Sequence, residues 1–212
     1  MRLRYSTRAA IRCSLALLLY FGVQTAAASR QDAPAPLGVD TARITIDGTS
    51  NIHAYTASST AVRVTRARLA DGVAGPAFWD EIAKPGALQA FEIAIPAATL
   101  SSPKDGLDKN MHKALKVKEH ADITFRLLRL EPRAGTPGGL RATGMLQIAG
   151  VEREVALDLT TKRTDTSLAV QGKVQLLMTD YGIAPPKAML GMLKTDPKVT
   201  VTFETVLAIP LT

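Results

Sequence analysis

The feature that most limits how this chain can fold is an alternation of apolar and polar residues with a period of two. Such alternation is typical of strands that bury one face. It recurs in segments that contain Ile44 and Ile46, Ile52 to Tyr55, Val62 and Val64, Phe91 to Ile95, Ile123 to Leu127, Leu146 and Ile148, Val155 to Leu159, Leu168 to Leu176, and Val199 to Phe203. Eight or nine such strands without alternating long helices predict an all-β antiparallel fold, either a sandwich or a barrel.

One segment, Gly106 to Phe125, interrupts this series with a helical pattern that leads directly into a strand. At about 100° per residue, Leu107, Met111 and Leu115 lie on one side of a helix. Lys109, Lys113 and Lys116 lie on the opposite side. A solvated helix face is the simpler explanation of the lysines, and a site for a phosphate or carboxylate head group is the alternative.

The first 28 residues have the pattern of a secretory signal peptide. Four arginines precede the apolar run from Ser14 to Val23, and Ala26-Ala27-Ala28 follows it. This pattern predicts cleavage after Ala28 and export to the periplasm. We therefore expect a signal peptide at 1–28, a flexible leader rich in Ala and Pro at 29–41, and one folded domain at 42–212.

Charge and cysteine content exclude several classes of function for the exported part. Loss of the signal peptide with its four Arg lowers the formal net charge from +7 to +3, which removes the main argument for nucleic-acid binding. The single cysteine, Cys13, lies within the signal peptide. Disulfides, thiolate metal sites and cysteine nucleophiles are thus excluded from the predicted mature protein.

No catalytic or metal-binding motif is recognisable. Asp47, Ser50 and His53 are close in sequence, but Ser50 is in no nucleophile elbow, and Asp47 to Ser50 is more simply a turn. The histidines, His53, His112 and His120, lack metal-ligand spacing. We therefore expect neither an enzyme nor a metal site.

Two further segments interrupt the series of strands. Ala70 to Gly86 contains the only tryptophan, Trp79, and a connection of this length is typical of a lid or binding loop. In Met178 to Asp196, the apolar run from Ala188 to Leu193 predicts a second short helix. Four methionines, Met111, Met178, Met189 and Met192, are explained by core packing, by an adaptable apolar pocket or by Cu(I) binding.

Four motifs in order resemble the YceI-like (lipid/polyisoprenoid-binding-like) family, over about Ala42 to Pro210. They are ITIDGTSNIHAY, LDKNMHKALKVKEHADITF, GMLQIAGVEREVALDL and LLMTDYGIAPPK. The resemblance implies an extended antiparallel eight-stranded lipocalin-like barrel with one or two short helices. It also implies a long pore for an apolar chain.

From this resemblance we expect a non-catalytic binding protein that holds a polyisoprenoid, fatty acid or fatty amide in the pore, with no cofactor other than such a ligand. The expected pore residues are Phe91, Ile93, Phe125, Leu127, Leu157, Met178, Met189 and Phe203. The expected mouth or lid residues are Trp79, Met111, Leu115, Lys109 and Lys113.

The competing interpretation is a periplasmic haem, quinone or metal-binding redox or stress protein that uses His53 or the methionines. The sequence leaves two partnerships open, a transient contact with a membrane surface and a homodimer. No nucleic-acid partner is expected.

Overall fold

The computed structural model describes residues 36–73, 75, 77–188 and 193–209. The predicted signal peptide, the first part of the predicted leader, and Met189 and Met192 lie outside these residues. The strands are β1 (Gly38–Ser50), β2 (Ala54–Ser59), β3 (Arg63–Leu69), β4 (Leu88–Pro96), β5 (Asp122–Pro132), β6 (Gly139–Ile148), β7 (Val151–Arg163), β8 (Ser167–Leu177), β9 (Lys187–Ala188) and β10 (Leu193–Ala208).

The strands form one antiparallel sheet with the order β2-β1-β10-β8-β7-β6-β5-β4-β3, and the two-residue β9 pairs only with β10. The predicted all-β antiparallel fold is confirmed, as a half-barrel of nine strands rather than eight. β1 begins at Gly38, four residues before the expected start of the fold near Ala42, because Gly38 pairs with Ala208 in β10.

The chain connection between β2 and β3 forces this sheet to curl. These strands are the two edges of the sheet, yet only residues 60–62 join them, a distance of about 14 Å at most. Near this junction the backbones of Ser58 and Ser101 exchange two hydrogen bonds of 2.8 and 2.9 Å. The hydroxyls of Ser59 and Thr99 are 2.6 Å apart, and that of Thr99 donates to the Pro96 carbonyl. A polar seam therefore joins β2 to the segment after β4.

Two α-helices lie in connections between strands. Helix α1 (Phe78–Ile82) joins β3 to β4, and helix α2 (Asp105–Ala114) joins β4 to β5. None of the helices in the described part of the chain is long and apolar enough to cross a membrane. The prediction of a helix at 188–193 is wrong for its first and last residues. Ala188 belongs to β9 and Leu193 to β10, and the two residues pair with each other. Extended backbone after Pro185-Pro186 is consistent with this pairing.

The turn that follows helix α2 contains a residue with left-handed backbone. Lys116 has φ of 52°. The amide of Val117 donates to the His112 carbonyl, and that of Lys116 donates to the Lys113 carbonyl, both at 3.1 Å. This is the Schellman pattern, in which glycine normally occupies the left-handed position. A lysine here adopts a conformation that costs about 1–2 kcal/mol for a residue with a Cβ.

Two strand glycines lie beneath aromatic rings of the neighbouring strand. A Cβ atom on Gly144 would lie 2.4 Å from the Phe125 ring, and one on Gly172 would lie 2.2 Å from the Phe203 ring. Phe203 and Gly172 are direct cross-strand partners. The missing side chains let both rings lie close to the inner face of the sheet, as in other curved sheets.

Most of the buried apolar residues form three clusters. The α2-end cluster comprises Ala97, Leu100, Leu115, Ile123, Ala149, Tyr181 and Ile183. The α1-end cluster comprises Leu37, Phe78, Trp79, Ile82 and Leu168. The central cluster comprises Phe125, Leu140, Ala142 and Leu159. Each helix thus packs apolar side chains at one end of the curled sheet, and the central cluster lies between the two ends.

Candidate functional site

The predicted pore residues that the structure describes all belong to these clusters or pack against them. Phe125 is a member of the central cluster, and Ile93, Leu127, Leu157 and Phe203 pack against it. Phe91 packs against the α1-end cluster and Met178 against the α2-end cluster. Met189 lies outside the described residues. The structure thus brings five of the eight residues together in the middle of the curled sheet.

The inner face of the sheet is apolar but incompletely covered. Phe125 is 8% exposed, whereas Leu127, Val155, Leu157 and Phe203 are only half-buried although they face the same central cluster. Large apolar side chains in a filled core are normally almost fully buried. The middle of the inner face therefore has unburied apolar surface that a ligand could cover.

A cavity of about 690 Å³ lies beside β1, β8 and β10 and is not lined by any predicted pore residue. Its lining combines apolar side chains such as Val170 and Val206 with Arg43 and Glu204. A second cavity of about 250 Å³ lies near Tyr55. Burial and the nearby Asp196 carboxylate raise the pKa of Tyr55.

The α1 end is closed by aromatic side chains. Trp79 is 4% exposed, and its ring meets that of Phe78 edge to face, with 4.9 Å between the ring centroids. Both rings pack with Leu37 and Leu168. The predicted lid residue Trp79 therefore lies inside a packed cluster at one end of the sheet.

The α2 end carries the other predicted mouth residues. Leu115 belongs to the α2-end cluster and Met111 packs against it, whereas Lys109 and Lys113 are exposed. The described residues contain no ion pair to either lysine. The two faces predicted for this helix are thus found, one against the cluster and one towards solvent.

A gap opens between β7 and β8 near the α2 end. The two strands pair only from Leu159–Gly172 to Arg163–Leu168. Beyond this point residues 151–158 of β7 pair only with β6, and residues 173–177 of β8 pair only with β10. The half-buried Val155 and Leu157 lie on the stretch of β7 that borders the gap.

Arg153 lies on the inner face of β7 beside this gap. Its cross-strand partner is Leu146, and it has the same strand parity as Val151 and Val155, which pack in the clusters. The Arg153 Nε donates to the Asp180 carbonyl at 3.1 Å. Sequence reasoning missed Arg153, although a charged residue at an apolar position of an alternating strand was a usable signal.

Tyr181, next to Asp180, carries a buried hydroxyl that lacks a hydrogen-bond partner among the described residues. Its side chain is 2% exposed within the α2-end cluster. Burial raises the pKa of Tyr181, the Asp180 carboxylate raises it further, and the positive charge of Arg153 lowers it.

Three of the residues considered for catalysis or metal binding, Asp47, Ser50 and His112, have structural hydrogen-bond partners. The Ser50 hydroxyl donates to the His53 carbonyl at 2.8 Å, and Asp47 accepts from the Thr56 hydroxyl, so both belong to the β1–β2 turn region. The His112 Nε2 lies 2.8 Å from the Leu100 carbonyl. Within the part of the chain that the structure describes, no three His, Cys, Asp or Glu side chains are placed to hold a metal ion.

Comparison with solved structures shows a shared fold at low sequence identity. BcnA of Burkholderia cenocepacia superposes with a TM-score of 0.60 and 12% identity, covering 79% of this chain and 96% of that chain. A polyisoprenoid binding domain from Saccharophagus degradans, implicated in plant cell wall breakdown, gives 0.59 and 14%, covering 83% and 99%. The YceI protein of Campylobacter jejuni gives 0.52 and 15%, covering 71% and 82%.

No curated protein sequence matches this chain. The family model of the YceI-like domain matches residues 38–207, from the first residue of β1 to the next-to-last residue of β10. Because this match spans the entire curled sheet, it confirms the resemblance found in the sequence motifs, and the chain belongs to the YceI-like domain family.

Proposed function

We propose that this protein is an exported, non-catalytic carrier that holds one elongated apolar molecule along the inner face of its curled sheet. The observation that carries the proposal is the half-buried apolar surface formed by Leu127, Val155, Leu157 and Phe203 between two packed ends. The polyisoprenoid binding domain that shares the fold supports this class of ligand. The N-terminal signal pattern supports export to the periplasm.

The energetics of an apolar chain are sufficient for binding without any reactive group. Each buried CH₂ contributes about 0.8 kcal/mol before the costs of association and ordering are subtracted. Candidate ligands are therefore polyisoprenoids, fatty acids and fatty amides with at least about ten chain carbons. Their affinity is expected to rise with chain length until the inner face is fully covered.

This proposal is tested by calorimetric titration of the delipidated protein with linear alcohols of 8, 10, 12, 14 and 16 carbons. The expected result is an affinity that rises about threefold or more for each pair of carbons. An affinity independent of chain length, or no binding at any length, would contradict the proposal.

A matched pair of variants on β7 locates the binding surface. Leu157 lies on the inner face, and Ala156, one residue earlier, is exposed on the outer face. Leu157→Gln is expected to weaken binding of the 16-carbon alcohol at least tenfold, and Ala156→Gln less than twofold. Equal effects of the two substitutions would place the ligand elsewhere.

A further inference from the structure

The gap between β7 and β8 interrupts an otherwise continuous sheet at a definite point. From Gly172 towards the α2 end, the two strands no longer exchange hydrogen bonds. The edges that face this gap carry the half-buried inner residues Val155 and Leu157 of β7 and Val174 and Leu176 of β8. Strand edges that do not pair with each other therefore border the apolar inner face at this point.

A cation lies on the inner side of this gap. Arg153 is exposed, and the only side-chain hydrogen bond that it makes to the described residues is the one from Nε to the Asp180 carbonyl. The terminal guanidinium nitrogens are therefore unpartnered within the described ranges. A guanidinium held through Nε presents its remaining N–H groups in the fork geometry that suits a carboxylate or a phosphate.

A second unsatisfied donor belongs to the residue that follows Asp180 in the chain. The Tyr181 hydroxyl is buried in the α2-end cluster without a partner among the residues that the structure describes. A buried hydroxyl normally has a hydrogen-bond partner, because leaving it unpaired is costly. Arg153 bonds to the residue that precedes Tyr181 in the chain, so the exposed guanidinium and the buried hydroxyl both come from the α2 end of the sheet.

From this geometry we infer that Arg153 and Tyr181 form a head-group site for a single-chain amphiphile with an anionic head, either a carboxylate or a phosphate. The head group would lie at the β7–β8 gap, and the chain would extend along Val155 and Leu157 towards Phe203. This inference rests on the proposed carrier function and specifies its ligand class.

The inference is tested by titrating the delipidated protein with three 16-carbon ligands, hexadecanoate, hexadecyl phosphate and hexadecan-1-ol. The protein is expected to bind one or both anions at least tenfold more tightly than the alcohol, and the stronger anion identifies the head group. The Arg153→Gln variant is expected to bind the preferred anion about ten- to a hundredfold more weakly, with alcohol binding changed less than twofold.

Three further variants separate the head-group role from a structural role. Arg153→Lys keeps the charge without the fork and is expected to retain part of the preference for the anion. Tyr181→Phe is expected to weaken anion binding at least threefold. Arg129→Gln removes an exposed arginine from β5 and is expected to change no affinity.

Each contrary outcome has a distinct meaning. Equal affinity of the unmodified protein for the alcohol and both anions, or full anion affinity in Arg153→Gln, would overturn the head-group site while leaving the carrier function intact. Failure of the unmodified protein to bind any of the three ligands would overturn the carrier function itself.

Discussion

Replacing Tyr181 with phenylalanine is expected to stabilise the ligand-free protein. The substitution removes one hydroxyl and keeps the ring that packs with Leu100, Leu115 and Ile183. This hydroxyl has no partner among the described residues, and an unmade hydrogen bond of this kind costs about 1–3 kcal/mol. We therefore expect Tyr181→Phe to raise the free energy of unfolding by about 1–2 kcal/mol, which corresponds to about 3–7 °C in Tm for a domain of this size.

Urea denaturation followed by circular dichroism and by fluorescence of the buried Trp79 measures this change. Tyr55→Phe is the matched control, because its hydroxyl belongs to a half-buried side chain, and a change within about 0.5 kcal/mol is expected. Saturation with the preferred anion should reduce or reverse the advantage of the phenylalanine variant, since only tyrosine can donate to the ligand. A loss of 1 kcal/mol or more in ligand-free Tyr181→Phe would refute the reasoning, because it would mean that the hydroxyl makes a stabilising hydrogen bond.

Three further substitutions test local features of the fold. Lys116→Gly relieves the left-handed backbone at the end of α2 and should raise the free energy of unfolding by about 0.5–1 kcal/mol in urea denaturation. Gly172→Ala forces the Phe203 ring off the sheet and should lower that free energy by about 1–3 kcal/mol. Asp158→Asn should flatten the loss of stability in acid, measured as Tm against pH, because the hydrogen bond from Arg141 lowers the pKa of the Asp158 carboxyl. That contribution is present above the unfolded pKa of about 3.9 and is lost as the pH falls through the lower folded value.

Controls distinguish these mechanisms from general tolerance to mutation. Lys113→Gly lies inside α2 and should destabilise by about 1 kcal/mol, opposite in sign to Lys116→Gly. Phe203→Leu should reduce the penalty of Gly172→Ala, since a smaller side chain leaves room for the new methyl group. The Tm of the Asp158→Asn variant could fall in acid as steeply as that of the unmodified protein. This result would contradict the role given to the interaction between Arg141 and Asp158.

The strands and the faces of α2 were predictable because each is encoded within a few neighbouring residues. Alternation with a period of two is local, as is the spacing that places Met111 and Leu115 on one side of a helix and Lys113 on the other. The structure places both apolar residues at the α2-end cluster and leaves the lysine exposed.

Features that depend on distant strands were not predictable from such patterns. The early start of β1 at Gly38 requires pairing with Ala208 at the opposite end of the domain. Helix α1 has five residues, too few to show a helical period, and its two aromatic side chains are buried by contacts with Leu37 and Leu168. The candidate head-group site depends on where the β7–β8 ladder stops, which no local pattern records.

The curled sheet has two interruptions, and they differ in a way that supports the assignment of the ligand site. At the first interruption, between β2 and β3, hydrogen bonds of Ser58, Ser59, Thr99 and Ser101 join β2 to the segment that follows β4. At the second interruption, residues 151–158 of β7 and 173–177 of β8 do not pair with each other. Each unmade pairing forfeits about 1 kcal/mol relative to a closed sheet. This gap is bordered by apolar side chains and by Arg153. It therefore offers both the apolar surface and the positive charge that an anionic amphiphile requires.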